Sequence, residues 1–167
     1  MSWECISYWI ERHAGLASWV QAFGAVLSIW VAWWIASRQS KRAETALKQK
    51  DEAKCLALAA MIGHAMQVFE THKEMSNSDK EMQSFRDDLA MAKAILDGID
   101  LFSLPDPDLI VQACSARSLV DQTVIKFNNH EALGIPAIVF AGMTASPAIE
   151  RLNENIQRCK EVSKRFK

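Results

Sequence analysis

Histidines, cysteines and acidic pairs are the side chains here whose types and spacing could do chemistry. His64 and His72 stand eight residues apart with Glu70 between them, roughly on one face of a helix. A metal pair on one helix needs i,i+4 spacing, as in H-E-x-x-H, and a di-iron bundle needs Glu-x-x-His on two helices. Neither pattern occurs, so both histidines read as partly exposed helix residues, and His130-Glu131 reads as a surface pair in a loop. Cys5, Cys55, Cys114 and Cys159 lie far apart and form no C-x-x-C, so no zinc site is expected. Asp87-Asp88 reads as a solvated face, and Asp106-x-Asp108 as a helix start, because a calcium loop needs more oxygens at fixed spacing. No stretch pairs a nucleophile with a base, and there is no Gly-rich phosphate loop and no G-x-S-x-G. The sequence therefore predicts no catalytic residue, no cofactor and no metal, and a protein that is not an enzyme. A net charge of −1 and the lack of basic-aromatic interleaving predict no specific nucleic acid binding.

The element that must position everything else is residues 14–37, AGLASWVQAFGAVLSIWVAWWIAS, which carry no charged side chain. A helix rises about 1.5 Å per residue, so a hydrocarbon core of about 30 Å needs roughly 20 apolar residues. The stretch is long enough, and its only strongly polar side chain, Gln21, lies near one end. Trp19 stands at one end, and Trp30, Trp33 and Trp34 cluster at the other, as expected of rings that prefer the headgroup level. The sequence thus predicts a transmembrane helix, with these tryptophans and Arg38, Lys41 and Arg42 as interface anchors.

Gly24, Ser28, Ala32 and Ala36 recur every four residues within the span. Small side chains let helix backbones approach closely in lipid, so this ridge is the expected helix-association face and predicts self-association.

Orientation is read from the flanks. Between 38 and 54 lie six basic and three acidic side chains, whereas residues 1–13 hold only Glu4, Glu11 and Arg12. Cationic loops stay cytoplasmic, so the N-terminus is expected outside the inner membrane and the C-terminal part in the cytoplasm. A cleaved signal peptide would need a basic start and a shorter apolar core, so the helix reads as an uncleaved anchor. On this topology three cysteines face a reducing compartment as free thiols, and Cys5 alone lies outside, where it could pair with a second copy. Residues 70–108 carry ten acidic and four basic groups, and residues 158–167 five basic and one acidic. The two basic segments are expected near an anionic leaflet, with the acidic part held away.

The remaining chain reads as all-α. Residues 1–13 form a short interfacial segment, with Trp3, Ile6, Trp9, Ile10 and His13 at helical spacing. Residues 38–54 are a polar helical stalk without Pro or Gly, and residues 55–167 a helical bundle of one modest domain. The first helix is expected to end near Met75 after an apolar stripe through Cys55, Leu58, Ala59, Ile62, Ala65, Met66 and Phe69, with Leu56, Ala57, Ala60 and Met61 widening it into a heavily covered face. Ser78 and Glu81 read as a capping box for a helix from Asp79 to Asp97 that Gly98 terminates. Asp106-Pro107 opens a third helix ending near Phe127, before a loop from Asn128 to Pro136. A short apolar helix from Pro136 to Met143 follows, and Ser146-Pro147 is expected to start a separate last helix ending near Lys164. Residues 132–145 are apolar but too short to span, so they read as a core or re-entrant segment.

The run SWVQAFGAVLSIWVAWWIASRQSKRAE resembles the opening of many small bacterial and prophage single-pass membrane proteins, which share a W-x-Q-A-x-G start, one span, a basic exit and a helical cytoplasmic part. The resemblance covers about the first quarter of the chain and supplies no functional residues. Some proteins of that build look like membrane effectors or accessory parts of phage-defence systems. Two functions are thus expected: a membrane-anchored, homo-oligomeric helical module that senses or recruits a cytoplasmic protein partner, or an oligomerising effector that disrupts the bilayer.

Overall fold

A 58-residue helix, α1 (Ala14–Thr71), contains no proline and few β-branched runs, so nothing in its sequence interrupts the hydrogen-bond ladder. The structure, a computed structural model, describes Tyr8 and residues 14–74, 78–130 and 137–166. Three further helices follow: α2 (Asp79–Asp97), α3 (Pro107–His130) and α4 (Ala137–Lys164), with one 3-10 turn at Leu101–Ser103. The described residues contain no strand, so the fold is all-α. The chain divides into two compact units, Met1–Ala46 and Leu47–Lys167. The interfacial segment expected over residues 1–13 lies outside the described residues except for Tyr8, as does Cys5.

The second unit is built around one buried cluster. α1 contributes Cys55, Leu58, Ala59, Ile62, Ala65, Val68 and Phe69. Met66 is only partly buried against it. Leu56 and Met61 are exposed, as are Ala57 and Ala60, which corrects the expectation of a heavily covered helix. Three partner helices cover one stripe of α1 and leave its back to solvent. Each helix supplies one phenylalanine to a chain of ring contacts: Phe69 to Phe85 at 6.4 Å, Phe85 to Phe127 at 5.1 Å, and Phe127 to Phe140 at 5.7 Å. The first two pairs are edge-to-face, an arrangement aromatic quadrupoles favour by about 0.5–1.5 kcal/mol over area burial alone.

The caps are partly as the sequence predicts. α2 starts after Ser78, whose backbone is extended (φ −78°, ψ 129°), but the Ser78 side chain makes no capping bond. The serine half of the capping box is therefore absent. Ser78 is exposed, so water can serve the first amides, and Asp79 and Glu81 complement the helix dipole instead. Gly98 ends α2 in the right-handed region (φ −70°), its N–H donating to Ala94 O, so the stop does not use glycine's access to positive φ. The orphan carbonyls at this end are served by Arg117 of α3: Nε donates to Leu96 O at 2.7 Å, and one terminal nitrogen to Asp97 O and Ile99 O. Asp106 caps α3 as expected, accepting from Asp108 N at 2.8 Å.

Three boundaries differ from the expectation: α1 ends at Thr71 rather than near Met75, where the chain goes into a turn at 72–74. α3 runs through Asn128 and Asn129 to His130 rather than stopping near Phe127, because the buried Phe127 ring anchors its last turns. α4 is one helix that carries Pro147 inside it, so Ser146-Pro147 does not begin a new element. An interior proline removes one donor and crowds the preceding turn, at a cost of about 3 kcal/mol. Burial of Ala145 and Ala148 on either side holds the helix through that point, and the Pro147 ring lies on the exposed side. In residues 132–145, the described part is the helical start of α4, with Phe140 and Ala145 in the core and Val139 and Met143 exposed.

Candidate membrane interface

Residues 18–50 of α1 contain no buried side chain, and all but the half-buried Ser37 are exposed. Within that run lies a helical window long and apolar enough to cross a membrane. Trp19, Phe23, Ile29, Trp30 and Trp33 are each more than half exposed, and none is covered by the described residues. Fully hydrated, such a surface is unfavourable by about 25 cal/mol for each Å² of apolar area, and large exposed apolar patches mark sites that meet a partner or a lipid phase. Two of the expected anchors lie together. Trp34 lies beneath the Arg38 guanidinium, 4.4 Å from its ring centroid, so the last tryptophan and the first cation form one cation–π pair. Lys41 and Arg42 are exposed one turn later, and the Thr45 hydroxyl donates to both of their carbonyls (3.1 and 2.9 Å).

The ridge of Gly24, Ser28, Ala32 and Ala36 is exposed along its whole length. A Cβ added at Gly24 would meet no atom within 4 Å. The Ser28 hydroxyl donates to Gly24 O at 2.7 Å, so its proton is used inside its own helix. Contact along this ridge would therefore rest on close packing rather than on a hydrogen bond donated across helices.

No three described His, Cys, Asp or Glu side chains gather as a metal-binding group. His64 on α1 and His72 just after it are not alike: His64 is partly exposed as expected, and His72 is not. His72 is buried, its Nε2 lies 2.8 Å from Asp88 Oδ2, and its ring packs 5.0 Å from Phe85. Asp88 is thus a partner rather than part of a solvated face, whereas Asp87 accepts from Gln83 at 2.9 Å. His64 is half-buried, and its Nε2 is enclosed without a hydrogen-bond partner. Cys55 and Cys159 are free, fully buried thiols, and Cys114 is free and exposed. Burial, and then the nearby Cys55, pushes the Cys159 thiol up to about 11; burial followed by Asp106 and Asp51 raises Cys55. Neither thiol is suited to act as a nucleophile near neutral pH. Lys93 forms ion pairs with Asp97 and Asp121, and the Asp121 hydrogen bond is the main reason its pKa is raised.

Sequence reasoning did not single out Arg117, although an arginine three turns into a helix beside a Gly-terminated neighbour can reach that neighbour's carbonyls. It also passed over Lys126 and Arg151, which carry no motif and meet only when α3 and α4 pack. The chain matches no known family, no curated protein and no solved structure.

Proposed function

We propose that the chain is a membrane-anchored helical interaction module without enzymatic activity. Residues 14–37 of α1 cross the inner membrane with the N-terminus outside. The bundle faces the cytoplasm, where it recruits or senses a protein partner. Copies associate along the ridge of Gly24, Ser28, Ala32 and Ala36. The observation that carries this reading is an apolar helical run, long enough to span, that none of the described residues covers. The cationic exit at Arg38, Lys41 and Arg42 supports the orientation.

Alkaline carbonate extraction followed by thiol labelling tests it. The protein should stay in the membrane pellet. A membrane-impermeant maleimide should label the exposed Cys114 only after the inner membrane is permeabilised. Extraction into the soluble fraction would remove the anchor, and labelling of Cys114 in intact spheroplasts would invert the topology. For the ridge, Gly24→Ile with Ser28→Ile should abolish cross-linked dimers in membranes, and unchanged cross-linking would remove the ridge as the contact.

A further inference from the structure

An open groove of about 200 Å³ runs between α3 and α4 at the level of Pro147. Thr123 and Lys126 line it from α3, and Met143, Thr144, Pro147 and Arg151 from α4. Each helix contributes one cation, and no carboxylate lines the groove. Elsewhere in the bundle Lys93, Arg117 and Arg165 are engaged by carboxylates or carbonyls. Lys126 and Arg151 have no ion pair or hydrogen bond among the described residues.

The same groove gathers acceptors. Thr123 Oγ1 donates to Leu119 O at 2.9 Å and Thr144 Oγ1 to Phe140 O at 2.7 Å, so both hydroxyls have spent their protons and keep lone pairs. Pro147 has no N–H, which leaves the Met143 carbonyl without its α-helical donor. Two cations without partners among the described residues, beside three oxygen acceptors, suit a ligand that is anionic at one end and carries hydroxyl donors at the other. The volume equals roughly seven waters' share of the liquid, below the usual range for drug-sized ligands, so the ligand is small.

We propose that this groove binds a glycerol-phosphate-like group, with the phosphate between Lys126 and Arg151 and its hydroxyls on the Met143 carbonyl and the threonine oxygens. Such chemistry belongs both to a soluble phosphate monoester and to the headgroup of an anionic phospholipid. Every lining residue lies on α3 or α4, so the site does not depend on α1 crossing a bilayer.

The full chain, labelled with ¹³C at its methionine methyls, provides a local reporter, with the Met143 signal assigned through Met143→Leu. In detergent, glycerol 3-phosphate should shift that signal saturably, whereas glycerol alone and chloride at matched ionic strength should not. Lys126→Gln and Arg151→Gln should each weaken binding about tenfold, as expected for loss of one charge-assisted contact. Both positions are exposed, so an unchanged thermal melt verifies that the variants fold. A Met143 shift that appears only in phosphatidylglycerol nanodiscs, is absent in phosphatidylcholine nanodiscs and is lost in the double variant also supports the site, and assigns it to a headgroup. No saturable shift with either probe, or a shift undiminished in the double variant, overturns it.

Discussion

The two ends of α1 are made of similar residues and meet opposite fates. Between residues 18 and 36, Val, Ile, Leu, Phe and Trp point in every direction and all are exposed. Between 55 and 69, one stripe is covered, with Leu58, Ile62 and Phe69 almost wholly buried, while the apolar Leu56, Ala57, Ala60 and Met61 on the other side are exposed. Apolar content does not separate the two regions; cover of one stripe by neighbouring helices does. A stripe can be covered by neighbouring helices, whereas a helix apolar all round needs an apolar medium. On the proposed membrane reading, the first region finds its stability outside the chain, and the second within it.

The sharpest way to break that comparison is to exchange the insult. Ile29→Asp should move most of the protein out of the membrane fraction, since a carboxylate at mid-span costs about 2.5–3.5 kcal/mol in insertion, yet leave the thermal unfolding of the bundle unchanged. Ile62→Ala should do the reverse, lowering bundle stability by about 2–5 kcal/mol in chemical denaturation while the membrane fraction holds. If either substitution moved both readouts, the two regions would not be energetically separate.

Smaller effects come from the thiols. Folding raises the Cys159 pKa, so the folded bundle holds that proton more tightly than the unfolded chain does. Its contribution is complete below the ordinary thiol value of 9.0 and is lost as pH rises through about 11. Denaturant midpoints should fall across that window, and less steeply in Cys159→Ala. At neutral pH a maleimide should modify Cys114 readily in the folded protein, and Cys55 and Cys159 only after denaturation. Overexpression with a membrane-potential dye then asks what the exposed region does: an anchor should leave the potential unchanged, whereas a bilayer-disrupting effector would collapse it. The smallest change is Gly98→Ala. The backbone is right-handed, and a new Cβ would sit 3.5 Å from two carbonyl oxygens, an ordinary contact. Stability should rise by up to about 1 kcal/mol through a less flexible unfolded chain.

Much of this fold was legible in residue order. The limits of α2, the Asp106 cap and most of the α1 stripe follow from turn chemistry and helical period. What escaped depends on packing between distant segments. A proline after a serine looks like a helix start, and only burial of Ala145 and Ala148 carries α4 past it. Leu56 and Met61 look like core until it is clear that the partner helices cover one side only. His72 looks like a surface residue until α2 brings Asp88 to it. The residues proposed for the membrane interface were easier to single out, because charge, tryptophan placement and small-residue spacing are all properties of one continuous helix. The groove beside Pro147 was not, because its cations come from two helices and share no local pattern.

The Arg117 clamp also bears on the order in which the bundle assembles. Its carbonyl partners lie 18 to 21 residues back along the chain, so forming the clamp closes only a short loop. Gly63 on the first helix faces Ile156 on the last, where an added Cβ would sit 3.9 Å from Ile156 Cδ1, and bringing these together must close most of the unit. Loop entropy favours the nearer closure, so the α2–α3 hairpin is expected to form first and to act as the template on which α1 and α4 dock. During synthesis α2 and α3 emerge before α4, so translation favours the same sequence of events. Arg117 then acts as a folding-rate residue: its loss should retard refolding more than it hastens unfolding.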